Sequence, residues 1–276
     1  EYIIESIESV RNQTYKNWEL LVVDDSSEDN TEELIRLIKD ERIQFHKPGK
    51  KLGLTGARYE GIRKAKGALI AFIDSDDLWA PTKLEKQVIA LQEYPEAGFS
   101  LTGGYNFRKF NEPLEYFYKQ REGAKYGNML TAFFKSEMAA TMPSLTVRIE
   151  CMQTGQGSKE VDSVEFILDL ASRFKAVVLY EPLLYRRLHD TNYSSINWAK
   201  RQCQGLQIIK SYKSRLPPKL FAQSLFRSYI NFGESYLRHK ENRKAIRQFF
   251  NAWKNNPFSM VPLKKTAKAI LYIFRK

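Results

Sequence analysis

The amino-acid sequence predicts an α/β fold, a mostly parallel sheet flanked by helices, followed by an α-helical C-terminal extension. Three observations carry this. Short apolar runs alternate with segments of helical period across residues 1–101, the pattern of a parallel sheet covered by helices on both faces. After Ser195 only helical patterns follow. The charge divides near the same place: residues 1–199 carry 26 Lys and Arg against 30 Asp and Glu, and residues 200–276 carry 18 against 2. The formal net charge of +12 therefore belongs to the tail.

The chain opens with Ile3, Ile7 and Val10 at helical spacing. "WELLVVDD" (18–25) is a short apolar run ending in two acids, which suits a buried parallel strand. "SSEDNTEELIRLIKD" supplies cap residues and then Leu34, Ile35 and Ile38 at helical period. "RIQFHK" (42–47) reads as a strand, and the next helix opens near Thr55 and closes at Gly67. "ALIAFID" is a second buried strand ending in acid. Pro81 sits where the first turn of a helix tolerates it, and that helix runs to about Tyr94. "AGFSLTGG" is one more strand. Residues 102–150 are irregular and rich in aromatics; a helix over about 161–174, a strand at "AVVLY" and the segment "EPLLYRRLHD" follow. In 241–254 the spacing places Ile246, Phe249, Phe250 and Trp253 on one face.

Composition narrows the function classes. The apolar share of 43% excludes a disordered or collagen-like chain. Cys151 and Cys203 stand in unrelated contexts, with no disulfide framework and no Cys-x-x-Cys metal site, as expected of reduced thiols in the cytoplasm. No apolar run reaches the roughly 18 residues of a membrane span, and the first residues lack the basic-then-apolar form of a signal peptide. The basic tail suits a solvated face, an anionic membrane or nucleic acid; the net-negative sheet region argues against nucleic acid.

The chemistry gathers in "GALIAFIDSDDLWAP" (67–81), whose apolar run ends in Asp74, Asp76 and Asp77. Alternate residues of an extended strand share a face, so the Asp-x-Asp of Asp74 and Asp76 can converge on one point. Carboxylates suit hard divalent cations, Mn²⁺ or Mg²⁺, which bridge to substrate phosphates. Asp77 can instead cap the helix beginning near Pro81. Asp24 and Asp25 end another strand, and in α/β sheets ligands bind beyond the carboxyl ends of strands.

Three blocks, "SVRNQTYKNWELLVVDDSSEDNTEELI", "GLTGARYEGIRKAKGALIAFIDSDDLWAPTKLEKQV" and "EPLLYRRLHDTNYS", resemble the inverting family 2 glycosyltransferases of the GT-A fold, in their bacterial type with a helical extension. The resemblance implies a catalytic domain over residues 1–195 and a basic helical extension over 196–276. It implies metal-dependent transfer of a sugar, UDP-linked, from a nucleotide-sugar to an acceptor hydroxyl with inversion, in surface polysaccharide or glycan synthesis. Asp25 would bind the base with Asp24 beside it, Arg58 the base or diphosphate, and Asp74 the ribose side. Asp76 would ligate the Mn²⁺ or Mg²⁺, with Asp74 and His189 as further ligand candidates. Inversion needs a base; in "SKEVDSVEFILDLASRF" the family's Glu-Asp pair falls on Asp162-Ser163, which makes Asp162 the candidate base and Glu160 and Glu165 the alternatives. The partners implied are a nucleotide-sugar and a saccharide or lipid-linked saccharide acceptor. The basic amphipathic stretch 241–276 suits peripheral contact with the inner face of the cell membrane. The family's first strand has no counterpart here, so a native protein longer at its N-terminus is expected.

Two other classes compete. A phosphotransferase or phosphatase can use an Asp-x-Asp strand end, but "DSDDLWAP" lacks the Thr two places on, and "GLTGARYEG" is not a phosphate-binding Gly loop. A non-catalytic glycan- or membrane-binding module fits the tail but leaves the paired acidic strand ends without a purpose.

Overall fold

A computed structural model describes residues 2–117, 122–138, 141–153, 164–190 and 197–274. They form two compact units, one within Glu1–Phe133 and Glu137–Leu188, the other within Phe134–Ser136 and His189–Lys276.

The first unit runs α1 (Ile3–Arg11), β1 (Leu20–Val23), α2 (Thr31–Arg36), β2 (Ile43–His46), α3 (Gly53–Lys64), β3 (Leu69–Ala71), β4 (Leu78–Trp79), α4 (Lys83–Glu93) and β5 (Ala97–Phe107). It continues through β6 (Pro113–Tyr116), β7 (Ala124–Gly127), α5 (Leu130–Phe134), β8 (Leu145–Arg148), α6 (Ile149–Gln153), α7 (Val164–Arg173) and β9 (Lys175–Arg187). The alternation read from the sequence is therefore present, and "AVVLY" and "EPLLYRR" merge into one strand.

The pairing directions differ from expectation. β1 and β2 pair in parallel, Leu20 opposite Ile43 through Val23 opposite His46. The larger sheet has the order β3-β8-β5-β9-β4, with β6 on β5 and β7 on β9. Within it β5 and β9 are parallel, while the remaining pairs are antiparallel. The α/β class holds, but the sheet is mixed rather than mostly parallel. The cause is β8: a strand from the stretch that reads as irregular enters between β3 and β5 and runs against both.

Phe99, Leu101, Leu145, Val147, Val177, Val178 and Leu184 are fully buried, so the central strands carry the apolar surface whose burial drives folding. α4 covers part of this sheet, with Ala90 and Leu91 packed beside Ala97 and Val177. Where β5 shifts register against β9 the strand carries Gly103 and Gly104. A Cβ at Gly103 would stand 2.4 Å from the Tyr180 carbonyl oxygen, a close backbone approach that only glycine permits.

The second unit contains α8 (Trp198–Ser211), α9 (Pro218–Arg238), α10 (Asn242–Asn255) and α11 (Val261–Phe274). Ile230, Ala245, Phe249, Ala252 and Ala269 join the last three in one cluster. On α10 the buried side is Ala245, Phe249 and Ala252, whereas Phe250 is 51% exposed; the face read from the sequence is rotated by one position. Among the described residues no helix is long and apolar enough to cross a membrane.

Candidate active site

Two strand ends of the first unit supply acids, and α3 connects them. Past Val23, the Asp24 backbone N–H donates to the His46 carbonyl at 2.9 Å, which extends the β1–β2 ladder by one residue. That turns the Asp24 side chain inward: its Oδ1 accepts from the Ser27 N–H at 3.0 Å, and its Oδ2 lies 3.8 Å from the Lys47 ammonium. Ser26 takes a φ of 74° to make the turn. Asp25 faces the other way, with Oδ1 accepting from the Leu52 N–H at 2.5 Å and Oδ2 from the Gly53 N–H at 2.8 Å. Its carboxylate thus closes two of the open backbone donors where α3 begins.

Arg58, on α3, reaches the second strand end. Its Nη2 donates to Asp74 Oδ1 at 2.7 Å, with the arginine side chain 12% exposed. The loop carrying Asp74 is a tight turn in which the Asp77 N–H donates to the Asp74 carbonyl at 3.1 Å, and the Ser6 hydroxyl donates to the same carbonyl at 3.1 Å. Carboxylate oxygens of Asp74, Asp76 and Asp77 come within 4.8 Å of one another. An all-oxygen donor set of this kind fits a hard divalent cation.

Asp77 is more than a companion to the pair. It does not cap α4, whose N-cap Thr82 makes no side-chain cap bond. Instead it is 2% exposed and accepts from the Arg187 backbone N–H at 3.0 Å. Burial, and then the charges of Asp74 and Asp76, push its carboxyl well above the ordinary carboxylate range. The group therefore resists ionising until a cation offsets the repulsion.

Arg187 holds this loop from β9. Its Nε donates to the Asp76 carbonyl at 3.0 Å and its Nη2 to Glu5 Oε2 at 2.7 Å, while the guanidinium lies 4.3 Å from the Tyr2 ring centroid and 4.9 Å from that of Phe107. The structure makes Arg187 the anchor of the acidic loop. The only sequence signal was an arginine at the end of an apolar strand.

Beyond the loop, the Trp79 indole N–H donates to the Pro143 carbonyl, and the fully buried Lys83 ammonium lies 4.0 Å from the Trp79 ring. Lys83 donates to Gln87 Oε1 at 2.7 Å; Gln87 Nε2 donates in turn to the Ser100 hydroxyl and the Ser144 carbonyl. Desolvation lowers the Lys83 ammonium to about 7.

The structure thus brings together Arg58, Asp74 and Asp76, adds Asp77 and Arg187, and ties Asp25 to the first turn of the helix that carries Arg58. Asp162 and Glu160 lie outside the described residues, Glu165 is in the first turn of α7, and His189 belongs to the second unit.

Carboxylates beyond the ends of β1 and β3, bridged by α3, suit the ligand-binding enzymes of the α/β class, and comparison with known proteins narrows it. The family described as Glycosyl transferase family 2 matches residues 1–153. TuaG of Bacillus subtilis (strain 168), named as a teichuronic acid biosynthesis glycosyltransferase, is 31% identical over 207 residues, covering 72% of this chain and 78% of TuaG. WfaP of Escherichia coli, named as a UDP-Glc:α-D-GlcNAc-diphosphoundecaprenol β-1,3-glucosyltransferase, is 43% identical over 108 residues, covering 39% of this chain and 43% of WfaP. Residues 1–349 of S. aureus TarS, in complex with UDP-GlcNAc, share the fold with a TM-score of 0.65 at 15% identity, over 97% of this chain and 85% of that one. The chain belongs to glycosyl transferase family 2. It is of an enzyme family, which sets aside both the phosphatase and the non-catalytic readings.

Proposed function

We propose that this protein transfers a hexose from a UDP-linked donor, with inversion, to a lipid-linked saccharide in surface polysaccharide synthesis, with Mn²⁺ or Mg²⁺ bound at Asp74 and Asp76. The observation that carries the reading is the convergence of three carboxylates beside Arg58 at the end of β3. The names of WfaP and TarS support the donor class, since one acts on UDP-Glc and the other was crystallised with UDP-GlcNAc. WfaP's named acceptor supports a lipid diphosphate-linked sugar, and such a substrate would bring the enzyme to the inner face of the membrane.

The chain's own residues divide the work. Asp25 receives the nucleoside at the end of β1, and the buried Asp24 supports the turn beside it. Asp74 and Asp76 hold the cation, which offsets the charge developing on the departing nucleoside diphosphate. Asp77 and Arg187 fix the backbone that presents those two carboxylates. Arg58 turns from Asp74 toward the diphosphate. Asp162, or in its place Glu160 or Glu165, takes the proton from the acceptor hydroxyl as that oxygen attacks the anomeric carbon.

A thermal-shift screen of nucleotide-sugars with Mn²⁺ tests this. One UDP-sugar should raise the melting temperature only when the metal is present, and Asp76→Ala should abolish the rise. An unchanged rise in Asp76→Ala would remove Asp76 as a ligand; stabilisation by no nucleotide-sugar would overturn the function.

A further inference from the structure

The helix α11 is built inside out. Two contacts set its rotation: Ala269 is fully buried in the cluster with Ile230, Ala245 and Phe249, and Lys265 forms an ion pair with Glu234 of α9. Those contacts, with the buried Pro262, define the inner side of the helix. Met260, Leu263, Ala267, Ile270 and Leu271 recur at intervals of three, four, three and one, which at 3.6 residues per turn places them together on the opposite side. All five are exposed, Leu271 by 58% and Leu263 by 47%. A helix at the edge of a helical unit normally turns polar residues outward. Here the outward stripe is apolar, and the exposed Lys264 and Lys268 border it along one side.

The surroundings have the same character. Phe258, in the turn before α11, is 97% exposed, and Phe250 of α10 is 51% exposed with the Lys254 ammonium 4.7 Å from its ring centroid. From residue 242 to 276 the sequence carries nine Lys and Arg and no Asp or Glu. An apolar stripe alone could take any greasy partner. An apolar stripe bordered by lysines, on a segment without a single acid, complements a surface that is apolar below and anionic above.

We propose that the outer face of α11 lies in the headgroup–acyl boundary of an anionic membrane, with Met260, Leu263, Ile270 and Leu271 in the apolar layer and Lys264 and Lys268 at the lipid phosphates. Leucines and isoleucine supply the burial, lysine stems reach back to the headgroups, and exposed aromatics such as Phe258 settle at the interface. The inference deepens the membrane part of the reading above, yet it needs neither donor nor acceptor, so it stands or falls apart from sugar transfer.

The test is cosedimentation of the full chain with vesicles of phosphatidylcholine alone and with 30% phosphatidylglycerol (composition by mole, about 0.1 M salt, where the Debye length is about 10 Å). Binding should require the anionic lipid and weaken at least tenfold in 0.5 M salt. Leu263→Glu with Leu271→Glu should lower it at least tenfold, and Lys264→Gln with Lys268→Gln should lower it less. Because those positions are exposed, the variants should unfold at the wild-type temperature. Leu271→Trp should bind as well as the wild type and show a blue-shifted emission with anionic vesicles only. Failure of the wild type to sediment, or undiminished binding by the double Glu variant, would overturn the proposal. So would a dimer in solution that the double Glu variant dissolves while vesicles bind neither protein, since the occupant would then be a second copy of the chain.

Discussion

Lys83 offers the sharpest test of the buried network beneath the candidate site. A lysine with no exposed surface and no carboxylate among its causes of perturbation must hold its charge by hydrogen bonding and by the Trp79 ring alone. The fall from 10.5 to about 7 corresponds to about 5 kcal/mol for keeping the ammonium in the core at acid pH, at about 1.4 kcal/mol per pH unit. Lys83→Met removes the charge while keeping an unbranched side chain. Gln87 Oε1 retains a donor, the Thr146 hydroxyl at 2.9 Å, so no polar atom is orphaned. At pH 6 the variant should therefore be more stable than the wild type, by up to about 5 kcal/mol less whatever packing the methionine loses. The pH dependence is the stricter criterion. Between about pH 7 and 10 the unfolded wild type keeps a proton on Lys83 that the folded state has lost, so its stability rises with pH by up to about 1.4 kcal/mol per unit relative to the variant. The difference should shrink toward zero on the alkaline side, where the folded wild type is neutral at Lys83. Urea unfolding of both proteins at pH 6, 8 and 9.5 measures it. Parallel pH profiles would mean that Lys83 titrates normally and that water reaches its ammonium.

Asp77→Asn should raise the melting temperature at pH 8 in EDTA by about 2–4 °C, about 1 kcal/mol for a chain of this order. The amide oxygen still accepts from Arg187, while the raised carboxyl of the wild type costs stability as pH climbs from about 4 through its folded value. The gain should shrink toward pH 4, and no gain at pH 8 would show that the three carboxylates coexist ionised without strain. In the second unit, Gly233→Ala would place a Cβ 2.3 Å from Cε1 of the fully buried Phe249. The overpacking should cost about 1–3 kcal/mol in urea unfolding followed by Trp fluorescence; a neutral result would mean that α9 and α10 can separate freely at that point.

The acidic strand ends were legible because their signal is local. An apolar run that ends in Asp74-Ser75-Asp76-Asp77 marks the strand and the acids after it, although the carboxylates converge through a tight turn rather than on one face of an extended strand; Val23-Asp24-Asp25 marks the end of β1 in the same way. What escaped depends on partners far along the chain. Arg187 lies 111 residues from Asp76, and no spacing rule links an arginine late in one strand to a loop that ends another. The direction of the sheet escaped for the same reason: β8 is four residues long and sits in a stretch without clear period, yet its insertion between β3 and β5 decides how the sheet runs. On α10, Phe249 and Phe250 are adjacent and equally apolar, so only the small residues Ala245 and Ala252 mark which of them the helix buries.

The residue pattern also hid how much depends on α3. None of its side chains is buried, so apolar packing does little to hold it against the sheet. Its position is instead tied at two points by charge: Asp25 accepts from the backbone at its first turn, and Arg58 pairs with Asp74 near its middle. The helix thus bridges the two acidic strand ends, and each tie uses a group that the proposed nucleotide-sugar would also engage. On the proposed reading a diphosphate would compete with Asp74 for Arg58, and a divalent cation would compete with Arg58 for Asp74. The two exchanges favour each other, since moving Arg58 onto phosphate frees an Asp74 oxygen for the cation, and the cation in turn compensates the carboxylate that Arg58 has left. On the proposed reading, metal and donor binding should therefore be cooperative through this one ion pair.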